Sequence, residues 1–156
     1  MVAAKDIRMN ICSPTCLSMM LDYLHVAHDV NEVVVSAYHR ATNLFGVWPQ
    51  NIWALSRWGV IGAVETSATW ESISEILCAG YPLVASIAFG KGTLDGSPLV
   101  SSNGHLVIVR GIQNNEVFVN DPAAKSEIEV PRRYDIDQFH QAWLTTRGVF
   151  YLLAKN

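Results

Sequence analysis

The apolar residues change their spacing near the middle of the chain, and this change limits the possible folds more than any other feature. In the first half they recur at helical intervals, as Leu17, Met20, Leu21 and Leu24 do, which is typical of helices with one buried face. Leu83–Phe89 is instead a near-continuous apolar run of strand length, and shorter apolar runs follow it. Helices first and antiparallel strands second predict an α+β fold.

Capping residues indicate where the helices begin. Ser13 is a good N-cap and Pro14 a good first helical residue, so a first helix is expected from Pro14 to about His25. Asp29 and Thr69 are further N-caps. The remaining predicted helices follow Asp29, Pro49 and Thr69 and cover 134–143, and the predicted strands are 60–64, 83–89, 106–112, 116–120, 127–130 and 149–153.

Length and composition exclude several classes of protein. The 156 residues suit one domain, which we expect to cover 1–156. Half of the residues are hydrophobic and 16% are charged, which excludes a disordered chain. A net charge of −3 without a basic run argues against nucleic acid as a partner. The sequence lacks an apolar run of the ~18 residues typical of a membrane helix. It also shows no signal peptide, but a trimmed or mature chain would lack one as well, so the sequence leaves the compartment open.

Three positions suggest nucleophilic catalysis. Cys12 lies at the start of the first predicted helix, where unpaired N–H groups and the helix dipole favour a thiolate. His105 follows Gly104 at a strand start, and Asp121 precedes Pro122 at the end of the next strand. The three side chains are suited to act as nucleophile, base and the group that orients the base. The cysteines and histidines show no metal-ligand spacing, so we expect no metal and no other cofactor.

Four stretches together resemble the C39-like family of bacterial papain-fold cysteine peptidases, and they occur in the order found in that family. They are Cys12-Ser13-Pro14-Thr15, Gly80-Tyr81-Pro82-Leu83-Val84, Gly104-His105-Leu106-Val107-Ile108-Val109 and Val119-Asn120-Asp121-Pro122-Ala123. The resemblance implies a papain-like cysteine proteinase fold, with N-terminal helices packed on a C-terminal antiparallel sheet. It also implies a Cys-His-Asp triad that hydrolyses a peptide or protein substrate through a thioester acyl-enzyme.

The second oxyanion donor is the point at which the chain departs from the family pattern. One donor can be the backbone N–H of Cys12, and the resemblance implies an upstream glutamine side chain as the other. No glutamine precedes Cys12, and Asn10 is the only amide side chain in this stretch. Three interpretations follow: Asn10 substitutes, a glutamine lies upstream of the given chain, or the protein is slow or inactive. Loss of one such donor costs on the order of 10²–10³ in rate.

The strand pair between His105 and Asp121 gives a geometric condition for the triad. With an unbulged two-residue turn at Asn114-Asn115, Asp121 lies opposite Ile108, so that it and His105 point to opposite faces of the sheet. One additional residue, either in the loop or as a bulge at Gly111, places both side chains on the same face, diagonal to each other. The triad therefore requires an odd loop or a single bulge, with Asn114 or Asn115 at positive φ.

These observations favour a cysteine peptidase over two alternatives. One is a catalytically degenerate C39-like domain that binds peptides, and the other is a thiol acyltransferase or amidase that uses the same triad. The predicted long loop at 90–103 contains three glycines and leads directly into His105. Such loops are usually functional or disordered, and this position favours function.

Overall fold

The structure is a computed structural model that describes residues 11–156. Contacts divide the chain into two compact units. The first contains the residues up to Val64 together with Leu153–Asn156, and the second contains Glu65–Leu152. The expectation of one domain over 1–156 stays a prediction. Between residues 11 and 156, no helix has both the length and the apolar character needed to cross a membrane.

The first unit is mainly helical. Its elements are α1 (Cys12–Tyr23), α2 (Val30–Ala37), α3 (Trp48–Leu55), a 3₁₀ turn (Ser56–Trp58) and all but the last residue of strand β1 (Val60–Glu65). Asp29 caps α2 as predicted, because its carboxylate accepts the backbone N–H groups of Asn31 and Glu32. Gly59 ends the 3₁₀ turn in the left-handed region, at φ 68°, which glycine adopts without strain.

The second unit contains an antiparallel sheet and two helices. Its elements are α4 (Trp70–Cys78), β2 (Leu83–Phe89), β3 (Ser102–Gln113), β4 (Glu116–Asn120), a 3₁₀ turn (Glu127–Glu129), β5 (Pro131–Asp135), α5 (Ile136–Trp143) and the start of β6 (Phe150–Lys155). The strand order is β6-β2-β3-β4-β5. Its paired strands are antiparallel, so the α+β prediction is confirmed.

The core of the second unit explains why β2 has a near-continuous apolar sequence. Six of its seven residues are buried, because the strand lies inside the sheet with both faces covered. Helix α5 contributes Phe139 and Trp143, which pack on each other edge to face with ring centroids 5.8 Å apart. The indole N–H of Trp143 donates to the carbonyl of Val149 at 2.9 Å, so the largest core side chain has a partner for its polar atom.

Two predicted elements near the end of the second unit are wrong. Residues 127–130 form a 3₁₀ turn rather than a strand, and the strand is Pro131–Asp135. The last helix begins at Ile136 rather than Tyr134, because Asp135 accepts the N–H groups of Asp137 and Gln138 and so caps it. β5 is an edge strand, where a proline and exposed charges are tolerated. Because this composition is not typical of a strand, the sequence does not indicate β5.

The loop between β2 and β3 covers 90–101, and several contacts hold it against the rest of the second unit. Leu94 is buried in the core. The backbone N–H of Asp95 donates to Gln138 Oε1 at 2.8 Å, and Gln138 Nε2 donates back to the Asp95 carboxylate at 2.9 Å. Arg132 donates to the carbonyl of Gly96 at 2.6 Å. These contacts fix the loop to α5 and β5.

Candidate active site

Cys12 is the first residue of α1, within the first unit. Ile11 is the N-cap and makes no side-chain capping bond, so the prediction that Ser13 caps the helix is wrong. The helix can begin earlier because the first four N–H groups need no intrahelical partner, so Pro14 fits its first turn. No acidic side chain lies in this turn, whose residues are all described. The positive end of the helix therefore favours negative charge on a half-buried thiol.

Ser13 attaches the start of α1 to α3. Its side chain is fully buried and accepts a hydrogen bond from the amide of Asn51, which is also buried. Thr15 adds a second constraint, because its hydroxyl donates to the carbonyl of Ile11 at 2.7 Å. Both contacts fix the backbone on either side of Cys12.

His105 and Asp121 are brought together in the second unit. His105 Nε2 lies 2.8 Å from Asp121 Oδ1, and both side chains are buried, with His105 3% exposed and Asp121 fully covered. The ring nitrogen must be the donor in this bond, because an ionised carboxylate only accepts.

The hairpin that carries this pair meets the geometric condition for placing His105 and Asp121 on one face of the sheet. Asn114 and Asn115 form a two-residue turn at positive φ, 50° and 64°. Gln113 lies opposite Glu116 at this end, but the register shifts between Val109 and Gly111. A single bulge therefore supplies the additional residue, so the condition of an odd loop or a single bulge is met. The prediction of positive φ at Asn114 or Asn115 is confirmed.

The carboxylate of Asp121 accepts three hydrogen bonds. Oδ1 accepts from His105 and from the backbone N–H of Ala123 at 2.9 Å, and Oδ2 accepts from the hydroxyl of Tyr134 at 2.8 Å. Burial raises the pKa of Asp121, but the hydrogen bond and charge of His105, followed by Ala123 and Tyr134, hold this pKa below its ordinary value. The group is therefore ionised at neutral pH.

These contacts fix the tautomer of His105. With its proton on Nε2, the neutral ring has its lone pair on Nδ1, which is the nitrogen that can take up a proton. Once Nδ1 is protonated, the imidazolium lies against a buried carboxylate and is stabilised by its charge. The pair is thus suited to general base catalysis followed by general acid catalysis.

Gly104 allows a guanidinium to approach the chain directly before His105. A Cβ at this glycine would lie 3.1 Å from Nη1 of Arg147, which is closer than most side-chain contacts. Nη2 of the same guanidinium donates to the carbonyl of Asn103 at 2.7 Å. The absence of a side chain at Gly104 therefore lets the Arg147 guanidinium lie against the chain here and bond the backbone at the start of β3.

The structure accounts for the predicted site residues in three ways. His105 and Asp121 are in contact in the second unit, whereas Cys12 belongs to the first unit. Asn10 lies outside the described residues. The sequence prediction missed Tyr134, the third side chain of the buried cluster. A strand over 131–135 antiparallel to β4 would have indicated it, since Tyr134 then pairs with Val117 on the core face.

Comparisons with known proteins identify the family. The model of the Peptidase_C39 like family matches residues 2–151, which is nearly the whole chain. The chain is a member of this family. The predicted relationship to C39-like cysteine peptidases is therefore confirmed at the level of the family. No curated protein sequence matches the chain significantly.

Solved structures show the same fold as this C39-like protein. The peptidase domain of Streptococcus ComA, a bifunctional ABC transporter, has a TM-score of 0.69 and 16% identity, with 95% of this chain and 93% of that chain covered. A protein from Bacillus anthracis described as a C39-like peptidase has a TM-score of 0.69 and 17% identity, over 94% and 90% of the two chains.

A third structure contains a bound peptide. It is a double glycine motif protease from an AMS/PCAT transporter in complex with its leader peptide, and its TM-score is 0.66 at 14% identity, over 93% of this chain and 84% of that chain. With these likenesses, the prediction of an α+β, papain-like cysteine proteinase fold is confirmed.

Proposed function

We propose that this C39-like protein is a cysteine peptidase in which Cys12 is the nucleophile, His105 the base and Asp121 the residue that orients the base. The observation that carries the proposal is the buried bond between His105 Nε2 and Asp121 at 2.8 Å. It leaves Nδ1 as the basic nitrogen of the ring. The family supplies the reaction class, and the start of α1 supplies an environment that favours a thiolate at Cys12.

The reaction begins with transfer of the Cys12 thiol proton to His105 Nδ1. The thiolate attacks the peptide carbonyl carbon, a C–S bond forms, and the carbonyl electron pair moves onto oxygen. The backbone N–H of Cys12 is one donor to this oxyanion, and we assign the second to the side chain of Asn10. When the C–N bond breaks, His105 gives its proton to the leaving amine, and a thioester remains on Cys12.

Water then resolves the acyl-enzyme. His105 Nδ1 takes a proton from water as its oxygen attacks the thioester carbon, and the C–S bond breaks to release the carboxylic acid product. Asp121 stays ionised and holds the ring in both steps. The substrate is a peptide, as in the neighbour that holds a leader peptide, and cleavage after two glycines is the specificity to test first.

The test compares thiols within one protein. A peptide vinyl sulfone ending in Gly-Gly is added at pH 6, and the labelled cysteine is found by mass spectrometry. An ordinary thiol is less than about 1% thiolate at this pH, and exposed Cys78 serves as the internal reference. We expect Cys12 to be labelled at least tenfold faster than Cys78, and His105→Ala to remove this advantage.

Turnover is measured separately on a peptide with a central Gly-Gly. Cys12→Ala should abolish cleavage while leaving the melting transition intact, because a half-buried thiol at a helix start contributes little packing. Labelling of Cys12 no faster than that of Cys78 would overturn the nucleophile assignment. Fast labelling without release of a carboxylic acid product from the Gly-Gly peptide would overturn the peptidase assignment, and transfer of the acyl group to an added amine would favour the acyltransferase.

A further inference from the structure

We infer that Tyr134 is a positioning residue, whose phenol holds Asp121 so that the opposite carboxylate oxygen is directed at His105. The inference rests on the proposed function and adds a residue to it. Tyr134 is on β5, paired with Val117 of β4. Its hydroxyl donates to Asp121 Oδ2 at 2.8 Å.

The carboxylate needs a partner on each oxygen to stay in one orientation. Asp121 follows the last residue of β4, so the sheet ladder does not fix its side chain. The N–H of Ala123 bonds Oδ1, the same oxygen that faces His105. Among residues 11–156, Tyr134 is the hydrogen-bond partner of Oδ2, and it opposes rotation of the carboxylate about its terminal bond.

The ring of Tyr134 is held independently of its hydroxyl. It is 2% exposed and stacks on Phe139 of α5, with ring centroids 5.8 Å apart and an interplanar angle of 13°. The ladder between β4 and β5 fixes the backbone on both sides of it. Removal of the hydroxyl alone therefore tests the contact with Asp121 rather than the packing of the strand.

Burial and the neighbouring carboxylate of Asp121 keep the Tyr134 hydroxyl protonated, so that it acts as a donor. Burial, then the charge and hydrogen bond of Asp121, raise the pKa of Tyr134 well above its ordinary value, whereas Arg132 and Ser97 act in the opposite direction. In the second unit, the titratable groups that face Asp121 are His105 from β3 and Tyr134 from β5. The phenol is thus protonated at any pH at which the enzyme would work.

The test is Tyr134→Phe, with Tyr81→Phe as the matched control because Tyr81 is exposed and lies in the same unit. In protein labelled with ¹³C at aspartate carboxyls, the titration midpoint of Asp121 should move to higher pH by about one unit in Tyr134→Phe. The rate of Cys12 labelling by the Gly-Gly vinyl sulfone should fall roughly three- to tenfold. Neither value should change in Tyr81→Phe.

The outcomes separate this inference from the proposed function. An unchanged Asp121 midpoint in Tyr134→Phe would overturn the positioning role, as would an unchanged labelling rate in a protein whose wild type labels Cys12 rapidly. Slow labelling of Cys12 in the wild type would overturn the proposed function itself. Tyr134→Phe should keep a cooperative melting transition, because the ring and its stacking are retained. Its midpoint should fall by a few degrees, because the hydrogen bond to a buried carboxylate is lost.

Discussion

Replacement of Asp121 by alanine should destabilise the protein through the donors that it leaves behind. The carboxylate accepts from His105 and Tyr134, which are 3% and 2% exposed, so neither donor can turn to water in the variant. Each unsatisfied buried donor costs about 1–3 kcal/mol. The variant also escapes the desolvation of a buried charge, which opposes this cost, and we expect a net loss of roughly 2–4 kcal/mol.

Urea unfolding at pH 7, followed by far-UV circular dichroism, measures this loss. Asp121→Asn is the matched variant, because the amide oxygen still accepts from His105 Nε2 and Ala123, and it should cost about 1 kcal/mol. Asp22→Ala is the surface control, since that side chain is 74% exposed, and it should stay within about 0.5 kcal/mol of the wild type. A loss below about 1 kcal/mol in Asp121→Ala, at an unchanged m-value, would refute the reasoning.

Three further predictions concern pH, the second cysteine of α1 and the bulge. Burial raises the pKa of Asp121, but its hydrogen bonds and the charge of His105 hold the native pKa below the ordinary value of 3.8. The contribution of Asp121 to stability is therefore present above about pH 4 and is lost as pH falls through the native pKa. Urea midpoints should show this loss in the wild type but not in Asp121→Asn. Cys16→Ala should keep rapid labelling of Cys12 and cost about 1 kcal/mol by urea unfolding, because Cys16 is fully buried; loss of labelling with a native melting transition would count against Cys12. Deletion of Arg110 removes the bulge residue and makes the pairs Val109–Val119 and Gly111–Phe118 consecutive, so the pairing on both sides is kept. The NMR signal of the proton on His105 Nε2 should therefore still show a hydrogen bond to Asp121. Loss of that hydrogen bond would contradict the register.

The hairpin could be predicted because parity leaves few choices. Side chains alternate along a strand, so chain length between two residues and the type of turn decide whether they share a face. Asn114 and Asn115 are the residue type that accepts positive φ, and both adopt it. The sequence did not distinguish a three-residue loop from a bulge, because both supply the same additional residue, and the structure shows the bulge.

Tyr134 could not be predicted, because local patterns gave the wrong element. Apolar residues from Tyr134 to Trp143 are spaced for a helix, and only Asp135 separates the strand from it. The predicted start of α1 is wrong for a similar reason. Ser13 is a good N-cap by residue type, but its side chain is buried and bonded to Asn51 instead. In both places a tertiary contact overrides the local preference.

The number of donors around Asp121 explains why an ionised carboxylate suits this position. Three donors converge on it, and a carboxylate accepts all of them without presenting a hydrogen of its own. An amide would present N–H to one of them, and the natural choice is Tyr134, whose hydroxyl would have to turn and accept. The charge therefore sets the proton on His105 Nε2 and the lone pair on Nδ1 before any nucleophile approaches.

The bond between His105 and Asp121 suits a peptidase and a thiol acyltransferase equally well. In both, formation of the thioester needs a base at Nδ1 and a carboxylate that holds the opposite ring nitrogen. What separates a peptidase from an acyltransferase is the second half of the reaction, in which water or an amine attacks the thioester. Labelling at pH 6 reports the thiolate attack of the first half, and repeated turnover of a Gly-Gly peptide, with release of the carboxylic acid product, requires the second half. If Tyr134 acts by holding Asp121, then Tyr134→Phe should slow both halves by a similar factor, since the same ring nitrogen accepts the proton in each.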